Sequence, residues 1–225
     1  MFQGYTQGTI DFLWNLRLNN ERTWFLAHKE EFLELVDRPT RQLAAQLAEE
    51  MTGACPKLGL ELKVSRIYRD ARRLFGRGPY KDHLWFSLRK PGENDGAIPC
   101  FWFEVAPEHY GYGMGCWEMS PATLAKLRAR IDWDPKPVEK LARAVKRRGE
   151  FRMDGQMYKR PKGDPGPLLF PWYNSRQISF ACECNCEDLF FRPELAGQVL
   201  EGWKSLVPQY RFLCSLPGDS EPDHM

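Results

Sequence analysis

The stretch Cys100-Phe101-Trp102-Phe103 decides the fold. It is apolar on both faces, which suits a strand covered on two sides, so 98–105 is predicted as a central strand of a sheet. Upstream, 85–88 and the alternating Leu60-Glu61-Leu62-Lys63-Val64 also read as strands. A loop rich in Gly, Asn and Asp joins 85–88 to 98–105. Before the strands the pattern is helical. Thr9 can cap a first helix with Ile10, Leu13 and Leu16 inward, ending at Asn19-Asn20. Asn20 can cap a second over 21–37, with Trp24, Phe25, Phe32, Leu35 and Val36 at helical spacing. Pro39 opens a third, with Leu43, Leu47 and Met51 buried and Gly53 as its stop.

Downstream of the central strand, 111–115 reads as a glycine-rich turn. Helices are predicted from Ser120-Pro121 to 131 and over 137–148, the second stopped by Gly149. Residues 152–175, rich in Pro, Gly and Lys, read as a long surface loop, and 178–186 as a return strand. Pro193 opens a last helix to about 207. The order is helices, strands in hairpin sequence, then helices and a return strand. That order predicts an α+β fold with a mixed, mainly antiparallel sheet packed against N-terminal and later helices. One domain is expected over 1–213, with a disordered tail at 214–225.

The chain has 225 residues, 43% of them hydrophobic, enough for a core. Net charge is +2, but it is unevenly spread. Residues 63–90 carry nine Lys/Arg against two Asp/Glu, and 136–162 carry ten against three, within an acidic remainder. Such segregation fits an anionic ligand or nucleic acid, and equally two solvated faces. No signal peptide is read at the start, and no apolar run approaches the roughly 20 residues needed to cross a bilayer. Seven cysteines, an odd number, predict free thiols in a reducing cytoplasm.

The densest signal is Arg66-Ile67-Tyr68-Arg69-Asp70-Ala71-Arg72-Arg73, followed by Gly78-Pro79-Tyr80-Lys81-Asp82. If the first stretch is extended, Arg66, Tyr68 and Asp70 face one way and Arg69 the other. Several cations fixed on strands and a turn can clamp phosphate or carboxylate, and Asp70 can orient them. A structural ion-pair network is the competing reading. Arg128 sits at the edge of a helical apolar stripe, beside Leu124 and Ile131, and needs a carboxylate or a ligand oxyanion.

Other motifs carry less. Cys182, Cys184 and Cys186 suggest a metal, but in a strand Cys182 and Cys186 lie about 13 Å apart, too far to share one ion with bonds of about 2.3 Å. They read as packing residues, and no metal or cofactor is predicted. His28 falls in the apolar stripe between Trp24 and Phe32. A histidine with one hydrogen-bond partner is the default there, and a catalytic base the alternative. Gly111-Tyr112-Gly113-Met114-Gly115 lacks the spacing of a phosphate loop.

Three groups of residues then point to a family. They are Asn19-Asn20-Glu21-Arg22-Thr23-Trp24-Phe25, Arg66-Ile67-Tyr68-Arg69-Asp70-Ala71-Arg72, and Pro79-Tyr80-Lys81. Gly113-Met114-Gly115, Leu127-Arg128 and Lys159-Arg160-Pro161-Lys162-Gly163 follow in order. Together they resemble the bacterial and fungal family catalogued as domain of unknown function 2461. The resemblance covers nearly the whole chain and implies one domain, with no assigned reaction. Within Arg73-Leu74-Phe75-Gly76-Arg77 the basic end is kept as Arg77, but Gly76 stands where the family carries an acid. No role resting on that carboxylate carries over.

The sequence reading is therefore a cytoplasmic domain binding a phosphate- or carboxylate-bearing ligand. Arg66, Arg69, Arg72, Arg77, Lys81 and Arg128 are the anion contacts, and Asp70 orients them. Lys159, Arg160 and Lys162 form a second basic segment. If chemistry follows, phosphoryl or acyl transfer is the natural class, with Tyr80 or His28 moving the proton. The rival readings are a nucleic-acid-binding module and a structural or partner-binding protein whose arginines serve the fold.

Overall fold

A computed structural model describes residues 1–70, 72, 74, 76–92 and 97–220. Ala71, Arg73, Phe75, the Asn/Asp-rich part of the 90–97 loop and the last five residues lie outside that description. The chain is α+β, built on one six-stranded antiparallel sheet in the order β1-β2-β3-β4-β6-β5. The strands are β1 (Glu61–Val64), β2 (Leu84–Arg89), β3 (Cys100–Val105), β4 (His109–Cys116), β5 (Arg152–Asp154) and β6 (Ile178–Asn185). β3 stands inside the sheet, as its two apolar faces require. Two compact units are distinguishable, and β3, β4 and β6 contribute residues to both. Among the described residues no helix is long and apolar enough to cross a membrane.

The first unit comprises Met1–Leu88, Trp102–Tyr112 and Glu183–Glu201. It holds α1 (Gln7–Leu18), α2 (Arg22–Ala27), α3 (Lys29–Phe32) and α4 (Arg38–Ala54). α1 begins earlier than predicted. Thr6 is its N-cap, and Thr9 serves as the reciprocal partner in the capping box. The single helix predicted over 21–37 is divided. His28 leaves the helical region at φ −111°, ψ 19°, and a π-helical turn at Leu33–Asp37 leads directly into α4. Thr9 Oγ1 donates to Leu35 O at 2.7 Å inside that turn. The core stacks Tyr5 on Phe190 at 4.6 Å and Phe86 on Phe103 at 5.4 Å. The Tyr5 hydroxyl is buried against Thr40 Oγ1.

The second unit comprises Arg89–Phe101, Gly113–Cys182 and Gly202–Met225. It holds α5 (Pro121–Trp133), α6 (Lys136–Arg148), α7 (Phe170–Asn174) and α9 (Val207–Ser215), while α8 (Leu195–Ser205) passes from the first unit into the second. Ser120 caps α5 by accepting from Thr123 N at 3.1 Å, and Gly149 ends α6 at φ +72°. Phe101 stacks on Tyr210 at 4.9 Å in this unit's core.

Three expectations need correction. The glycine-rich 111–115 is part of strand β4. A Cβ on Gly113 runs into Phe180 O, and one on Gly115 lies 2.5 Å from Ser179 Oγ, so close strand approach explains these glycines. The loop expected over 152–175 contains β5, which pairs with β6 at Arg152↔Ala181, and the short α7. The first part of the predicted tail, 214–219, is folded. α9 runs to Ser215, a 3₁₀ turn follows at Leu216–Gly218, and Arg130 grips Asp219 through two hydrogen bonds of 2.6 and 2.7 Å.

Candidate functional site

The first basic segment is built around a joint that the sequence motifs had implied only by their order. Asn20, at the end of α1, accepts from Tyr80 N and donates to Tyr80 O, both at 2.9 Å. A Cβ at position 78 meets Asn20 Oδ1, so Gly78 is the residue that lets the Gly-Pro turn reach α1. A bridge between Tyr68 and Tyr80 then ties 66–69 to 79–81, with Lys81 N donating to Ile67 O at 2.7 Å.

At this joint the carboxylate that organises the arginines is Asp82. Arg17 Nε donates to Asp82 Oδ2 at 2.6 Å, and His83 Nδ1 is 3.2 Å from Oδ1. Arg69 Nη2 reaches the same Oδ1 at 3.5 Å, and Arg69 Nε donates to Tyr80 O at 2.7 Å. Arg17 also grips Glu108 with both terminal nitrogens. Burial pushes the Asp82 carboxyl up, but hydrogen bonds from Arg17 and His83 hold it below the ordinary aspartate value. Arg17, Asp82, His83, Glu104 and Glu108 were absent from the predicted site. Glu104, a lone acid in the apolar run of β3, was the visible signal.

The other predicted members differ in kind. Asp70 chelates Arg72 with hydrogen bonds of 2.7 and 3.0 Å on an exposed surface, the Arg72 side chain being 88% exposed. Arg66 and Arg77 are exposed. Tyr80 is 2% exposed and stacks on Phe25 at 4.1 Å, and burial raises the pKa of its hydroxyl. His28 Nδ1 donates to Trp24 O at 2.8 Å, and the ring stacks on that of Trp24. Lys81 forms no salt bridge with a described residue. Its Nζ lies 5.7 Å from the Trp85 ring centre, and burial, aided by Arg69, lowers its pKa against the pull of Glu104.

Arg128 belongs to the second unit, on α5. Its Nη1 is buried and has no hydrogen-bond partner. No described carboxylate pairs with it. Asp132, four residues on and on the same helix face, is taken by the Tyr173 hydroxyl at 2.9 Å. Arg130, two residues from Arg128, is fully engaged by Asp219 and Ser215. Tyr173 is electrostatically close to Arg128. The second basic segment is pinned to the same short helix. Lys162 N donates to Asn174 Oδ1 at 2.6 Å, and Asn174 Nδ2 donates to Gly163 O at 2.9 Å. A Cβ on Gly163 lies 2.8 Å from the Tyr173 ring, so glycine lets the loop approach that ring closely. Lys159 and Arg160 are exposed, and Lys162 Nζ sits 5.0 Å over the Tyr158 ring.

The cysteines of β6 alternate as packing residues. Cys182 is buried, Cys184 is half-buried and Glu183 between them is exposed, while Cys186 lies just past the strand. Among the described residues no group of three His, Cys, Asp or Glu side chains is placed to hold a metal ion.

A search of curated proteins returns no match to the chain. A family model matches residues 8–212, and so takes in the Asn20 joint, Arg128 and the loop at Lys159–Gly163. The chain belongs to the family described as conserved hypothetical protein, DUF2461.

Proposed function

We propose that the protein binds a phosphate- or carboxylate-bearing ligand at Arg128 in the second unit, with Lys159, Arg160 and Lys162 supplying further positive charge. The observation that carries this reading is the buried, unpartnered Nη1 of Arg128. A buried donor without an acceptor costs about 1–3 kcal/mol, more when charged, and a ligand oxyanion removes that cost. The fork of the guanidinium suits a planar or tetrahedral oxyanion. A cytoplasmic setting is supported by the odd count of seven cysteines, none of them joined in a disulfide.

A second reading applies to the first basic segment. Asp82 between Arg17 and Arg69 favours an ion-pair network that holds the fold there. The test titrates inorganic phosphate, citrate and ATP against thermal unfolding. Wild-type protein is expected to gain stability with each tenfold rise in the bound anion, and Arg128→Ala to lose the response. An unchanged response in Arg128→Ala, or none in the wild type, overturns the proposal. Oligonucleotide binding that collapses with salt, with no response to the small anions, supports the nucleic-acid reading instead.

A further inference from the structure

Helix α6 carries six Lys/Arg against one acid over 136–148, and its cations are not scattered. At 3.6 residues per turn, Lys136, Lys140, Arg143 and Arg147 fall within about 60° of one another and form a row about 16 Å long. The opposite face holds the helix to the second unit. Val138 and Ala142 are buried, and Gln209 Nε2 of α9 donates to Leu141 O at 3.2 Å. The row therefore faces water, and all four of its residues are exposed. The acids around it are already engaged. Asp132 accepts from the Tyr173 hydroxyl and Asp134 from Lys136 N, while Glu139 pairs with Arg143 and Glu150 with Arg148. No described carboxylate lies within salt-bridge distance of Lys136, Lys140 or Arg147. Trp133 ends α5 three residues before the row and is 92% exposed, more than any other large hydrophobic residue described. The chain between places it at most about 11 Å from Lys136, Cα to Cα. Pro135 and Pro137 stiffen that junction.

A merely solvated helix face needs neither a straight row of cations nor a bare indole at its head. We propose that α6 and Trp133 form a docking surface for single-stranded nucleic acid, with phosphates lying along the cations and a base stacked on the indole. A polyanion does not require a buried cation. Each exposed Lys or Arg that meets a phosphate releases condensed counterions, and that release drives binding. An anionic membrane fits the same surface less well. A helix that lies on lipid sinks its own apolar face among the headgroups, and α6 turns that face into the protein. Among the described residues, Trp133 is the sole exposed large hydrophobic side chain of α5 and α6. A duplex offers phosphates but keeps its stacked bases from the indole. Arg128 has no part in this surface, so the two proposals fail independently.

The test follows a fluorescein-labelled oligothymidylate by anisotropy as the full chain is added at several salt concentrations. Four phosphate contacts predict a slope of log K against log salt of about −3. The double variant Lys140→Gln, Arg147→Gln is expected to make that slope shallower by about 1.4. Trp133→Ala is expected to weaken binding about tenfold, and Trp133→Phe to restore most of the loss. Removing equal charge elsewhere, in the double variant Arg66→Gln, Arg77→Gln, is expected to leave the affinity near wild type, and so is Arg128→Ala. The α6 and Trp133 positions are exposed, so unfolding midpoints of those variants are expected to match wild type. A duplex of the same length is expected to bind more weakly. Equal weakening by the two double variants means diffuse attraction and overturns the site. Wild-type affinity in Trp133→Ala, or equal binding of the duplex, overturns the single-stranded assignment. No binding of the oligonucleotide overturns the proposal, and capture of phosphatidylserine vesicles in that case assigns the surface to a membrane.

Discussion

Two arginine-bearing regions of this molecule look alike in sequence and differ in electrostatic completeness. In the first unit, Arg17 and Arg69 converge on Asp82, so each of these two guanidinium groups has a carboxylate partner. In the second, Arg128 keeps a buried nitrogen without an acceptor while Tyr173 occupies the nearest acid along its helix. The difference teaches that a density of cations does not identify a ligand site. On the reading proposed above, what marks one is a desolvated cation whose charge the fold leaves unmatched.

The largest effect expected from breaking this contrast is at Asp82. Asp82→Asn removes the charge that Arg17 and Arg69 share, with Arg69 only 15% exposed. Such a half-buried pair, discounted from the cost of a fully buried one, predicts a loss of about 2–3 kcal/mol in denaturant unfolding. A loss below about 1 kcal/mol means that the network contributes little and that Arg17 and Arg69 are as available for a ligand as Arg128.

Acid sharpens the same point. The folded Asp82 carboxyl lies below the ordinary 3.8, so its contribution to stability is complete above that value. It is lost as pH falls through the depressed folded value. Unfolding free energy measured across that range is expected to fall in the wild type and to fall less in Asp82→Asn. Glu108 and Asp219, held low chiefly by hydrogen bonds from Arg17 and Arg130, leave a residual slope in the variant. Identical slopes remove Asp82 from the account of acid stability.

The parts of the fold legible in sequence were those set by local pattern. Ser120 as a cap, Gly149 as a stop and the two-faced apolar run of β3 needed no partner to be read. Gly113 and Gly115 were misread because their reason is the backbone of β6, dozens of residues away. The candidate site divides the same way. Arg128 was legible because one helix shows both its apolar stripe and the charge at its edge. Asp82 was passed over for Asp70 because nearness in sequence favoured Asp70, whereas the partners of Asp82 are Arg17 on α1, Arg69 in the segment after β1, and the adjoining His83. Long-range pairing leaves no periodicity to read.

Arg128→Met is expected to have a smaller effect, of opposite sign to Asp82→Asn. Without ligand, an unmatched half-buried cation is replaced by an apolar chain of similar length, and stability is expected to rise by up to about 1 kcal/mol. The stabilisation by phosphate or citrate is expected to vanish in the same variant. A loss of stability comparable to that of Asp82→Asn means that Arg128 is structural, and the contrast between the regions fails.

The smallest effect is expected at Arg72. Its guanidinium lies in solvent and its bond to Asp70 spans two residues, so water and salt compete with the pair at every point. Holding two side chains in one surface geometry costs about what their attraction returns. Arg72→Ala is therefore expected to leave the unfolding midpoint and the anion response within error of wild type, measured beside Arg128→Ala in the same buffer. The informative failure is a selective one. If Arg72→Ala abolishes stabilisation by phosphate while Arg128→Ala keeps it, the exposed arginine captures the ligand. Arg128 is then an unsatisfied residue of the fold, and the criterion of unmatched buried charge has chosen the wrong region.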